Sequence, residues 1–371
     1  MRPCICKRKI VSLGALALAA VILIMLIAGG FKISCKRDFV NEDAALRLIG
    51  ECLPAFCLSD GGYDDILKNL MFGFDISSPM SVISSNVLAF AAAGEVKKEE
   101  KPPEPDVDLS NAKPIEEVSI SAGGTGYLEA DGVKVKNATS YDVDPAALIN
   151  EPLDFNFDVQ GPVVLIIHSH SSESYTATDK NYYLPTDPDR TEDINYNVVR
   201  VGTGIENTLK SKGIDVLHDT SLHDYPSYNG SYKSSLASVN SYLEKYPSIR
   251  IVLDIHRDAM VRADGTKLKL CADVDGKKAA QIMLLTGSNQ GGLDHPNWRE
   301  NLKFAMKLQR VFNNMYPNLA RPVSFTKERY NTHTTKGSVI IEVGTTGNTL
   351  EEALVSADMI GNAVAEFIKS N

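Results

Sequence analysis

Histidine and acidic side chains follow three short aliphatic segments of the sequence. These side chains lie in His168-Ser169-His170-Ser171-Ser172-Glu173 after Val163–Ile167, in His256-Arg257-Asp258 after Ile249–Ile255, and at Glu342 after Ser338–Ile341. Each aliphatic segment is typical of a buried strand in a parallel sheet. Because ligands bind at the carboxyl ends of such strands, we expect these side chains to meet at one edge of the sheet.

The spacing of three of these side chains predicts a metal site. His170 and Glu173 stand in H-x-x-E spacing on the turn after the first strand, and His256 follows a neighbouring strand. Two His and one Glu with an open fourth position are typical of catalytic zinc sites, so we predict that these residues bind Zn²⁺. The H-x-H pair leaves open whether His168 or His170 is the ligand.

Two further residues are predicted to be catalytic. Glu342 is assigned as the general acid/base that takes a proton from water and passes it to the leaving group. Arg257 is assigned to stabilise the oxyanion, with a salt bridge to Asp254 or Asp258 as the alternative. One of these two aspartates is also expected to orient the His256 ring through its second nitrogen.

Other polar residues receive subsidiary roles. Glu192 and Asp193 are fallback carboxylate ligands if Glu173 points away from the site. Four histidines are expected at surface or loop positions: His218, His223, His295 and His333. Of these, His223 is the one best placed to reach substrate.

Strands and helices alternate from Gly161 onward. The predicted strands are Val163–Ile167, Ile214–Leu217, Ile249–Ile255, Lys267–Cys271, Ala279–Leu285 and Ser338–Val343. The predicted helices are Asn197–Lys212, Leu236–Tyr246, Asn297–Met315 and a last helix that begins at Asn348, with Glu351 completing a capping box. This alternation predicts a three-layer α/β domain with a mostly parallel sheet.

An uncharged segment near the N-terminus predicts a membrane anchor. No charged residue lies between Ile10 and Phe31, and roughly 20 apolar residues suffice to cross a bilayer. The basic residues that precede it favour a cytoplasmic N-terminus and an extracytoplasmic position for the rest of the chain. A signal peptide cleaved near Ala28-Gly29-Gly30 is the alternative.

Composition changes along the chain predict five regions. They are a cytoplasmic flank and transmembrane anchor (1–36), an extracytoplasmic stalk (37–95), an acidic Pro-rich linker (96–116), a small β accessory segment (117–160) and a catalytic domain (161–371). The six cysteines show no zinc-ribbon spacing, and the disulfide state of Cys35, Cys52 and Cys57 stays open.

The overall composition limits the class of protein. The chain has 371 residues, of which 43% are hydrophobic and 23% are charged, and its formal net charge is -9. This hydrophobic content allows a packed core and excludes a chain that is disordered throughout. The net negative charge argues against a dedicated nucleic-acid binder, which needs a basic surface to neutralise phosphates.

Several motifs together resemble those of the stage II sporulation protein P family. The matching strings are Leu165-Ile166-Ile167-His168-Ser169-His170-Ser171-Ser172-Glu173-Ser174-Tyr175, Asn197-Val198-Val199-Arg200-Val201-Gly202, His218-Asp219, Ser227-Tyr228, Asp254-Ile255-His256-Arg257-Asp258 and Glu342-Val343-Gly344-Thr345-Thr346. Ser169 and Ser171 stand where Thr is common in the family.

The resemblance implies a membrane-anchored zinc N-acetylmuramoyl-L-alanine amidase whose fold is related to that of other zinc amidases. It implies that the protein cuts peptidoglycan at the amide bond, with cleavage of peptide cross-links left open. It also implies action with the sporulation proteins D and M at the forespore engulfment septum, where the septal wall is thinned.

Two other classes of function remain as alternatives. One is a metal-dependent amidohydrolase on a (β/α)₈ barrel, although such barrels need about 250 residues and eight βα units. The other is a non-catalytic, membrane-anchored scaffold that binds peptidoglycan. The presence of both Glu173 and Glu342 argues against the scaffold, because a binding protein has no use for a general base.

Overall fold

The computed structural model describes residues 108–120, 125–177 and 179–371. The predicted anchor and stalk, and the Ile10–Phe31 helix with them, lie outside the described residues. Within these ranges, no helix combines the length and the apolar character that crossing a membrane requires.

Twelve strands and five helices make up the described chain. The strands are β1 (Lys113–Val118), β2 (Leu128–Ala130), β3 (Val133–Asn137), β4 (Val164–Ile167), β5 (Tyr182–Tyr183), β6 (Val216–His218), β7 (Ile251–Asp258), β8 (Lys267–Val274), β9 (Lys277–Ala280), β10 (Ile282–Thr286), β11 (Val323–Phe325) and β12 (Gly337–Thr345). The helices are α1 (Pro145–Asn150), α2 (Val198–Ser211), α3 (Ser231–Lys245), α4 (Trp298–Met315) and α5 (Leu350–Ser370).

Eight strands form the central sheet in the order β2-β3-β11-β10-β12-β7-β4-β6. The pairs β2–β3 and β10–β12 are antiparallel. All other neighbours in this sheet are parallel. The prediction of a mixed α/β domain with a mostly parallel sheet is therefore confirmed.

Alternate residues of β4 face two different hydrophobic cores. Val164 and Ile166 pack with residues of α2, α4 and α5 in the larger core. Leu165 and Ile167 pack with Val239 of α3 in a smaller one. Because side chains alternate across a strand, this division places helices on both faces of the sheet, which gives three layers.

The predicted strand Ala279–Leu285 is wrong in one respect, because it is two strands in two different sheets. β9 belongs to a second, four-stranded sheet with the order β5-β1-β8-β9, and β10 lies in the central sheet. The residue between them, Gln281, is fully buried. Its side chain bonds the backbone of Ile120 and its carbonyl accepts from Gly344 N–H at 2.9 Å. These bonds fix the transition from one sheet to the other.

In the region predicted as a small β accessory segment, β2 and β3 form a hairpin around Asp131-Gly132. Asp131 and Gly132 have φ values of 51° and 72°. Positive φ at both central residues is the requirement of a type I′ turn, which favours Asp-Gly. β3 then pairs with β11, so this part of the accessory segment continues the central sheet.

Helix starts differ from prediction at two places. α3 begins at Ser231, before the predicted Leu236, and thereby includes Tyr232. The capping box of α5 is formed by Thr349 and Glu352, so the predicted pair one residue earlier was wrong. Asn348 instead accepts hydrogen bonds from the N–H groups of Leu270 and Thr345.

Gly202 permits α2 to lie close to two buried histidines. A Cβ at this position would lie 2.6 Å from His168 Nε2 and 2.8 Å from His218 Nε2. We expect Gly202→Ala to destabilise the fold by about 1–3 kcal/mol through overpacking, although alanine favours helix. Thermal unfolding checks this, with Asn207→Ala on the exposed side of α2 as the control. Equal melting temperatures for Gly202→Ala and wild type would contradict it.

Candidate active site

The register of three parallel strands brings the predicted site residues together. Ile167 of β4 pairs with Asp254 of β7, and His256 of β7 pairs with Glu342 of β12. Paired residues on neighbouring strands point to the same face of a sheet. The carboxyl ends of β4, β7 and β12 therefore place the turn after Ile167 beside both His256 and Glu342.

The His256 imidazole is held between two carboxylates. Its Nδ1 lies 3.5 Å from Glu173 Oε2, and its Nε2 lies 2.9 Å from Asp254 Oδ1. Burial opposes protonation, but Asp254 and Glu173 raise the pKa of His256 well above its usual value, so a metal ion that binds Nδ1 must displace a proton. Asp254 is therefore the aspartate that contacts the ring, although this contact lacks hydrogen-bond geometry and leaves His256 Nε2 without a hydrogen-bond partner among the described residues.

His170 presents a free ring nitrogen to the same region. The centroids of the His170 and His256 rings are 5.2 Å apart. Within the described chain, His170 Nδ1 is buried and has no hydrogen-bond partner. Burial lowers the pKa of His170 to about 4, so its imidazole is neutral at pH 7. A neutral imidazole keeps the lone pair that metal binding needs.

His168 has partners for both ring nitrogens. Its Nδ1 donates to the carbonyl of Ile255 at 3.0 Å, and its Nε2 lies 2.8 Å from His218 Nε2. His218 Nδ1 in turn contacts Glu206 at 3.1 Å. Both ring nitrogens of His168 are therefore engaged by other residues of the protein.

Glu342 is a carboxyl group held in an unusual environment. Its Oε2 is buried without a hydrogen-bond partner in the described structure. Burial, with the negative charges of Glu173 and Asp258, raises the pKa of Glu342 to about 8. A pKa near neutrality allows a carboxyl group to accept and return a proton at physiological pH.

The Arg257 guanidinium donates hydrogen bonds to two backbone carbonyls of a loop. Its Nε donates to the carbonyl of Ser174 at 2.9 Å, and its Nη2 donates to the carbonyl of Asp189 at 2.7 Å. The alternative of a salt bridge to Asp254 or Asp258 is wrong for both: Asp254 contacts His256, and Asp258 pairs with Arg321 at 2.9 Å. The oxyanion role of Arg257 stays a prediction.

The subsidiary candidates lie elsewhere. Glu192 and Asp193 are exposed. His223, His295 and His333 lie in loops, as expected, although the first two are only 8% and 0% exposed. The expectation is wrong for His218, which lies in β6. His223 contacts Ser234 and Asp219 at 3.0 and 3.1 Å, so both of its ring nitrogens are engaged inside the protein.

Sequence reasoning missed an aromatic and basic group around His170. The Tyr228 ring stacks on His170 with centroids 4.5 Å apart, and the Tyr232 ring meets His170 edge-on at 5.1 Å. Arg190 lies over the Tyr228 ring, with Cζ 4.7 Å from the centroid. The only sequence signal for this group was the Ser227-Tyr228 string, to which no role was assigned.

Comparison with known proteins identifies the family. The family described as Stage II sporulation protein P matches residues 76–365. The chain belongs to this family. Stage II sporulation protein P of Bacillus subtilis (strain 168) is 29% identical over 217 residues, which cover 55% of this chain and 51% of that protein. The chain thus aligns with about half the length of this curated relative.

Solved structures of amidases give weaker similarities. N-acetylmuramyl-L-alanine amidase Ami1 of Mycobacterium smegmatis is 12% identical, with a TM-score of 0.34 over 58% of this chain and 100% of its own. The CwlD amidase of Clostridioides difficile, solved in complex with the GerS lipoprotein, is 14% identical, with a TM-score of 0.35 over 56% and 99%. TM-scores this low do not establish a shared fold.

The site of this stage II sporulation protein P family member can be tested for its fit to zinc. Across the described ranges, no three His, Cys, Asp or Glu side chains already meet in metal-binding geometry. The donors nevertheless suit the ion in type. His256 Nδ1 and Glu173 Oε2 are 3.5 Å apart, close to the separation of about 3.3 Å that two ligands of one tetrahedral zinc show. His170 is the third candidate ligand, because its Nδ1 has no partner among the described residues and its ring centroid lies 5.2 Å from that of His256.

Proposed function

We propose that the protein is a zinc-dependent peptidoglycan hydrolase, an N-acetylmuramoyl-L-alanine amidase that thins the septal wall during engulfment in sporulation. Family membership supports the sporulation role. The observation that carries the proposal is the position of His256, whose Nδ1 lies 3.5 Å from Glu173 Oε2 and whose Nε2 lies 2.9 Å from Asp254 Oδ1. A carboxylate on the far nitrogen is the usual support of a zinc-binding histidine.

In this proposal His170, Glu173 and His256 hold the zinc ion. His170 is preferred to His168, because both nitrogens of His168 are engaged and His170 Nδ1 is free. When bound, zinc supplies a Lewis acid that polarises a carbonyl and lowers the pKa of water.

Glu342 moves the proton in the proposed reaction. Water adds to the carbonyl carbon of the amide, and Glu342 takes the proton that the water loses. Glu342 then returns this proton to the amide nitrogen as the C–N bond breaks, so the products are a carboxylic acid and an amine. The raised pKa of Glu342, about 8, suits both directions of this transfer.

Mass spectrometry of fragments released from purified sacculi tests the proposed reaction. Full-length protein should release peptides with a free N-terminal alanine, and glycan strands without peptides should remain. A chelator should stop the release, and added zinc should restore it. Release of cross-link fragments alone would show an endopeptidase, and no release at all would favour the non-catalytic scaffold.

Membrane anchoring is part of the proposal, because a hydrolase of peptidoglycan must act outside the cytoplasmic membrane. Ile10–Phe31 is proposed as one uncleaved membrane helix. We expect protease added to intact protoplasts to digest the C-terminal domain, whereas a cytoplasmic control protein survives. A mature protein that begins near Gly30, or a domain that resists the protease until lysis, would contradict the anchor.

The proposed partners are the sporulation proteins D and M. Their involvement rests on the family resemblance. Co-purification of the three proteins from sporulating cells tests it.

A further inference from the structure

Arg190 contacts one proposed metal ligand directly and a second one through a tyrosine ring. Its Nη2 lies 3.6 Å from Glu173 Oε1. Its guanidinium also lies over the Tyr228 ring, 4.7 Å from the centroid, and this ring stacks on the imidazole of His170. One side chain is therefore in direct contact with one ligand and contacts the other through a tyrosine.

Tyr228 contacts His170 at Nε2, the ring nitrogen other than Nδ1, which has no partner among the described residues. The Tyr228 hydroxyl lies 3.4 Å from His170 Nε2, and the two ring planes are inclined by 16°. In the tautomer that carries its hydrogen on Nε2, this nitrogen donates to the Tyr228 oxygen, and the lone pair is on Nδ1. Since a hydrogen bond to the outer nitrogen fixes both the tautomer and the ring orientation of a ligating histidine, Tyr228 favours the form of His170 that can bind a metal.

Arg190 is itself fixed by a buried carboxylate. Its Nη1 lies 2.6 Å from Asp224 Oδ2, and the Asp224 side chain is fully buried. Asp224 also accepts hydrogen bonds from the backbone N–H and the hydroxyl of Ser172 at 3.0 and 2.7 Å. Ser172 lies within the turn that carries His170 and Glu173. Asp224 therefore contacts both this turn and the Arg190 guanidinium.

The backbone around Arg190 is attached to the same turn. Glu173 and Arg190 form an antiparallel bridge, and Thr191 N–H donates to the Ser172 carbonyl at 2.8 Å. The position of the Arg190 side chain is thus set by main-chain pairing as well as by Asp224. An ordinary surface ion pair, by contrast, has neither support and contributes little.

We propose that Arg190 and Tyr228 form a positioning pair that orients His170 and Glu173 together for a divalent metal ion. This inference rests on the proposed zinc site. Asp224 neutralises the charge of Arg190, so the guanidinium can direct Glu173 without opposing the ion strongly. The pair touches the ligands, and its effect on the reaction is exerted through them.

Zinc affinity of the full-length protein tests the pair. Competition with a chromogenic chelator is measured for wild type, Arg190→Gln, Arg190→Lys and Tyr228→Leu. Removing an outer partner of a metal ligand costs 10–100-fold in affinity, so we expect losses of about that size with little change in melting temperature. Arg190→Lys should resemble Arg190→Gln, since an ammonium group cannot contact Asp224, Glu173 and the ring at once.

Three comparisons make the result specific. Arg310→Gln removes an exposed ion pair with Asp131 and should leave zinc affinity unchanged. The double variant Arg190→Gln/Tyr228→Leu should lose less than the product of the single losses, because the two residues act as one unit. At saturating zinc, the release of fragments by the single variants should recover most of the wild-type rate.

The outcomes separate this inference from the proposed function. The positioning pair is refuted if Arg190→Gln and Tyr228→Leu both bind zinc with wild-type affinity. It is also refuted if these variants lose zinc affinity only because they no longer fold. A wild type that binds zinc but releases no fragments overturns the proposed reaction alone, because the affinities still decide the role of the pair. A wild type that binds no zinc overturns both.

Discussion

Glu342→Gln is expected to bind zinc as tightly as wild type and to release peptidoglycan fragments roughly 10²- to 10⁴-fold more slowly, the range that general acid/base catalysis contributes. The amide cannot accept the proton that the buried carboxylate accepts. It has nearly the same shape, so the pairing of β12 with β7 and β10 is retained. Metal analysis and the rate of fragment release from sacculi measure the two quantities on the same samples.

The control for Glu342→Gln is Glu366→Gln, a change at an exposed position of α5. It should leave both zinc content and rate unchanged. A wild-type rate in Glu342→Gln would refute the general-base role. Loss of zinc in the same variant would mean that Glu342 is a ligand, and Glu173 would then need another role.

His256→Ala and Glu173→Gln are expected to lose both zinc and activity. Each change removes a proposed ligand atom from a pair that lies 3.5 Å apart. Zinc affinity should therefore fall by more than about 100-fold, the upper end of the loss caused by removing an outer hydrogen-bond partner. Metal content after dialysis and chelator competition provide the measurements.

His333→Ala is the matched control for His256→Ala, since His333 lies against His295 and outside the site. It should keep its zinc. Equal zinc content in His256→Ala and wild type would remove His256 from the ligand set. Loss of zinc in His333→Ala as well would point to a general effect on the fold.

Much of the central sheet could be predicted from the sequence. The aliphatic segments before His168, His256 and Glu342 have a length and composition that fit few elements other than buried parallel strands. Once they are strands, the rule that places ligands at their carboxyl ends brings the three motifs together. The proximity of His256 to Glu173 follows from this reasoning.

The missed features depend on contacts between residues far apart in the sequence. Nothing local marks Gln281 as the residue where one aliphatic segment divides between two sheets, since its role depends on Ile120 and Gly344. Arg190 and Tyr228 lie on different loops and meet only because both pack against the turn that carries His170. The Arg257 guanidinium donates to two backbone carbonyls, which sequence patterns do not reveal, and its Nη1 lies 3.9 Å from Glu173 Oε1.

The position of β12 in the sheet determines when, during folding, the candidate site can form. β12 is the last strand in the chain, yet it lies inside the sheet between β10 and β7. Pairings between distant segments form slowly, because a long loop must close before they are stabilised. Glu342 can join His256 only after β12 enters the sheet. A chain that lacks β12, or has not yet placed it in the sheet, therefore has no complete candidate site, and the proposed reaction requires this step of folding first.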